Sequence, residues 1–91
     1  MEDSVWVFNG NDSAFPAAVF SARERAEAWI EGHHLSGTLT KYPVDVSAYD
    51  WAVESGVFRP KRPDQSEPRF IGRFSSASQE HYHYENGVLQ A

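Results

Sequence analysis

Cysteine is absent from the 91 residues, which rules out disulfides and thiolate metal sites and leaves the redox compartment open. Long apolar runs are missing too; none approaches the roughly 18–20 residues that a membrane-spanning helix needs. No basic-then-apolar leader opens the chain, so the expectation is a cytoplasmic protein without membrane contact. Positive charge is scarce: eight Lys and Arg face thirteen Asp and Glu, a net charge of −5. That balance disfavours DNA and RNA, whose affinity rests on neutralising phosphates. The shortage is uneven. Residues 1–58 hold nine acids against three bases, whereas residues 59–91 hold five bases against four acids. Glycine-rich phosphate loops, dinucleotide fingerprints and a Gly-flanked nucleophile elbow are all lacking. Neither an enzyme nor a bound cofactor is therefore expected.

What the chain does have is aromatic mass. Three Trp, four Tyr and six Phe can each bury about 150–250 Å², enough to build one core in a chain too short for two. A single globular domain over residues 1–91 follows. Its clearest segment runs from Ala14 to Ile30. Ala17-Ala18-Val19-Phe20 is a short strand behind Pro16. At Ser21 the apolar period lengthens from 2 to 3.6. Ser21-Ala22-Arg23-Glu24 has capping-box spacing, and Ala22, Ala26, Trp29, Ile30 and His33 then form one helical stripe. Gly32 or the His33-His34 pair should end that helix. Upstream, Val5 and Val7 alternate with Trp6 and Phe8 in a strand apolar on both faces, as in an interior strand or one covered on both sides. Asn9-Gly10 predicts the turn into the next strand. The Asn11-Asp12-Ser13 that follows lacks the later bidentate Glu of a calcium loop.

Downstream, Leu35-Ser36-Gly37 predicts a loop with Gly37 at positive φ, and Thr38 to Tyr42 a half-buried strand. Ser47 caps a second helix over Ala48–Ser55, closed by Gly56. Tyr49 and Trp51 lie about 200° apart on it, so only one of them can face inward. Arg59-Pro60-Lys61-Arg62-Pro63 is an extended connector. Pro68 opens a short third helix with an apolar stripe of Phe70, Ile71 and Phe74. Glu80 to Glu85, EHYHYE, alternates strictly, and Asn86-Gly87 marks a second turn. The order β-β-α-β-α-α-β predicts an α+β two-layer sandwich, with a small mixed sheet of about four strands packed against the helices. The helix between strands two and three allows a parallel pair by right-handed crossover.

The segments VWVFNGNDSAFPAAVFSARERAEAWI, LSGTLTKYPVDVSAYDWAVESGVFRPKRP and FSSASQEHYHYENG, spanning Val5 to Gly87, resemble a group of short bacterial proteins classed as a domain of unknown function. The resemblance implies a free-standing bacterial cytoplasmic domain and brings no catalytic residue with it.

The residues point to a non-enzymatic protein-binding domain, of the kind that neutralises a toxin as an immunity protein or inhibitor. Its partner would be a basic protein, met by acidic side chains and aromatic anchors. The expected surface joins Tyr49, Asp50, Trp51 and Glu54 on the second helix to His81, Tyr82, His83, Tyr84 and Glu85 on the last strand. One alternative is a self-associating structural or regulatory module, a homodimer that hides an exposed strand or helix. Another is a metal site on His81 and His83, which share a strand face at roughly 6.5–7 Å but have no third ligand of evident spacing.

Overall fold

The computed structural model describes residues 3–91; of the frayed start that the sequence suggests at Met1-Glu2-Asp3, Met1 and Glu2 lie outside them. Five strands make one sheet: β1 (Ser4–Gly10), β2 (Ala18–Phe20), β3 (Gly37–Pro43), β4 (His81–Glu85) and β5 (Val88–Leu89). Their order is β2-β1-β3-β4-β5, and every neighbouring pair is antiparallel. The α+β class holds, but the expected parallel pair does not form. Strands β2 and β3 do run parallel, as the intervening helix requires. However, β1 lies between them and pairs with each in turn, aligning Phe8 with both Ala18 and Leu39. The fifth strand comes from the Asn86-Gly87 turn, whose φ values of 50° and 83° are those of a tight type I′ hairpin. Asn9-Gly10 behaves differently. It continues the β1 ladder, and the bend comes later, where Asp12 takes φ 62°.

Helix α1 (Arg23–Gly32) lies against one face of the sheet. Ala26 and Ile30 are fully buried and meet Trp6, Phe8, Leu39 and Tyr84. Trp29 is half-buried, edge-on to Phe8 at 5.5 Å and tilted against Phe20 at 5.5 Å. The capping box does not form, because the helix starts one residue later than its spacing requires. Ala22 is the N-cap and offers no side-chain acceptor. His33, expected on the inward stripe, is the exposed C-cap, with its ring 6.0 Å from Trp29. The positive φ expected at Gly37 falls on His34 instead (53°). Gly37 is itself a buried β3 residue, where an added Cβ would come within 2.7 Å of Phe8 Cζ. Its value is close approach, not a turn.

Residues 44–80 form a second, smaller aromatic cluster. Helix α2 (Ala48–Glu54) is capped by Ser47, whose hydroxyl accepts from the Asp50 amide at 3.0 Å. Gly56 follows at φ 78°. Tyr49 is the inward aromatic: its ring meets Phe58, Phe70 and Phe74, and its hydroxyl donates to the Gln65 carbonyl at 2.8 Å. Pro68 begins α3 (Pro68–Ile71), as expected, but Ile71 turns outward. Buried Gln79 ties the cluster to the sheet. Its amide donates to the Lys41 carbonyl and its oxygen accepts from the Ser76 amide. No helix among the described residues is long and apolar enough to cross a membrane.

Candidate binding face

Strand alternation sorts the sheet into two sides. Trp6, Phe8, Leu39 and Tyr84 point toward α1. Trp51 of α2 sits beside Ser4, Lys41 and Pro43, which share the parity of that covered side. Both helices therefore occupy one face, and no helix among the described residues packs on the other. Register lays the open face out in rows. Val19, Val7, Thr40 and His81 cross four strands in one row; Asn9, Thr38 and His83 form the next, and Val5 with Tyr42 the third. None of these nine side chains is buried and, with His neutral, none carries a charge. Val19 is 62% exposed. Glu85 bounds the field where the last turn begins.

The two histidines stand edge to face, with ring centres 5.2 Å apart. His81 Nδ1 donates to the Gln79 carbonyl at 2.7 Å. Thr38 Oγ1 lies 3.2 Å from His83 Nδ1. No group of three or more His, Asp or Glu among the described residues is placed to hold a metal ion. The face offers β-branched methyls for packing and two imidazoles, two threonines, one asparagine and one phenol for hydrogen bonds.

Beneath it, the opposite parity of β4 is tied to α1. Tyr84 donates to Glu27 Oε2 at 2.9 Å, Glu27 pairs with Arg23 at 3.3 Å, and the Arg23 guanidinium lies 3.6 Å over the Tyr82 ring. Tyr82 donates in turn to Glu80. Burial first, and then the hydrogen bond to Glu27, push the Tyr84 phenol up to about 12. The bond to Glu80 likewise raises Tyr82.

The surface expected from the sequence thus divides. Tyr49 and Tyr84 are corrected to interior residues, 8% and 4% exposed, because each lies on the inward side of its element. Tyr82 is half-buried on the covered face of the sheet. Asp50 and Glu54 are exposed on α2, and Trp51 half-fills a shallow depression with Lys41, Gln79 and Glu80. Only His81, His83 and Glu85 reach the open side. The residues missed are Val5, Val7, Asn9, Val19, Thr38, Thr40 and Tyr42. Their signal was the doubly apolar β1 together with the threonine parity of β3. A family described as Domain of unknown function (DUF7710) matches residues 5–90. No curated protein and no solved structure matches the chain.

Proposed function

Since the chain belongs to that family, whose description carries no activity, we propose from its residues that it is a non-catalytic protein-binding domain of the bacterial cytoplasm. The open sheet face is its contact surface. One observation carries this: nine neighbouring side chains that carry no charge with His neutral share one sheet face, none of them buried, on a molecule of net −5. Interface cores are depleted in charged residues relative to the surrounding surface. The acidic excess elsewhere would steer a basic partner toward the molecule, and a toxin domain neutralised by this chain is the partner that best combines both features. Val19→Lys and Thr40→Lys test the reading, since each adds one charge to the central row. Against a partner identified by affinity capture from the source cells, each should weaken binding at least tenfold. Unchanged affinity in both would remove this face.

A second reading uses the same surface. An uncharged face lets two copies meet without setting like charges directly opposite one another across the contact. Light scattering separates the two: a dimer that Thr40→Lys converts to monomer favours self-association, and a monomer at high concentration favours the foreign partner.

A further inference from the structure

A cleft of about 890 Å³ opens in the second aromatic cluster, away from the open sheet face. That volume falls within the roughly 300–1,000 Å³ of small-molecule sites. Its floor is Phe58, Phe70 and Phe74, with ring centres 4.9–6.0 Å apart. Arg69 and Arg73 line it, four residues apart, and among the described residues neither has a carboxylate within ion-pair distance. Of the two acids in the lining, Asp64 is held by Arg62 at 3.1 Å, which leaves Glu67. Two guanidinia therefore stand against one unpaired carboxylate, and a single negative charge balances them. A dianion would overfill the site and meet Glu67. We propose that this cleft binds a small amphipathic monocarboxylate, with its flat apolar body on the phenyl floor and its carboxylate gripped by Arg69 and Arg73. Guanidinium forks match carboxylate geometry, and aromatic faces accept planar apolar groups in offset or edge contacts.

Naphthalene-2-carboxylate and its neutral counterpart naphthalene-2-methanol test this on the full chain, followed by backbone amide shifts in NMR. The carboxylate should shift Phe58, Phe70, Arg73 and Phe74 saturably and bind at least tenfold more tightly than the alcohol. The double variant Arg69→Gln/Arg73→Gln should lose that preference while keeping its affinity for the alcohol. Equal binding of the two probes to the native chain, or shifts clustered on Val7, Thr40 and His81 instead, would overturn the proposal. So would a folded double variant that still prefers the carboxylate.

Discussion

Gly37 and Tyr84 face each other across the β3–β4 ladder, and between them they set how closely the sheet packs. A methyl at position 37 would press on the Phe8 ring and the β1 backbone, neither of which has room to retreat. Gly37→Ala should therefore lower unfolding free energy by about 2 kcal/mol or more in urea titration, as overpacking does. Tyr84 makes a different contribution. Tyr84→Phe keeps the ring in the core but removes the bond to Glu27, a loss of about 1 kcal/mol. Its pH signature follows from the raised phenol. The unfolded chain releases this proton near 10 while the folded one holds it to about 12. The stability it confers is full below 10 and drains away as pH rises to about 12. Ultraviolet titration should show one phenol ionising at about 12, and Tyr84→Phe should lack it. The strict alternation of EHYHYE did reveal that the tyrosines share one side and the histidines the other. Which side lies inward depends on contacts from Glu27 and Arg23, more than fifty residues away, and no local pattern records those.

At the level of elements, two serines precede helices with similar local composition, yet they behave oppositely. Ser47 accepts the Asp50 amide. Ser21 stands outside α1, whose first turn has no side-chain cap. Ser47→Ala should then cost about 1 kcal/mol in thermal unfolding, whereas Ser21→Ala should stay within about 0.5 kcal/mol of native. Helix α1 was legible from its apolar spacing, and α2 from its Ser47 cap and closing Gly56. The exact start of α1 was not, because the short β2 edge strand fixes Phe20 opposite Trp6 and delays the helix by a residue. The two Asn-Gly pairs show the same limit. Asn86-Gly87 is flanked at once by the Glu85–Val88 and Tyr84–Leu89 pairs and closes a tight hairpin. Asn9-Gly10 is held straight by seven residues of pairing with β3. In both cases tertiary pairing decided between local options of similar energy.

For the molecule as a whole, the decisive feature is that, among the described residues, helices cover the sheet on one side only. A doubly apolar β1 reads equally well as a strand buried on both faces or as one whose second face awaits a partner. Composition could not choose between these, because the answer depends on where residues 44–80 settle. They settle on the same side of the sheet as α1, around their own aromatic cluster, and leave Val19 exposed and Val5 and Val7 half-buried. Acidity was legible from the sequence; the uncharged field within it was not, since its nine members come from four strands.

The sidedness of the sheet can be measured directly by relaxation of side-chain methyls with a soluble gadolinium chelate, using the isolated chain at low concentration. The Val5, Val19 and Thr40 methyls should relax strongly while those of Ile30 and Leu39, both 0% exposed, do not. Equal protection of the two sets would mean that some other part of the chain covers the face, and the binding surface derived from its openness would not exist.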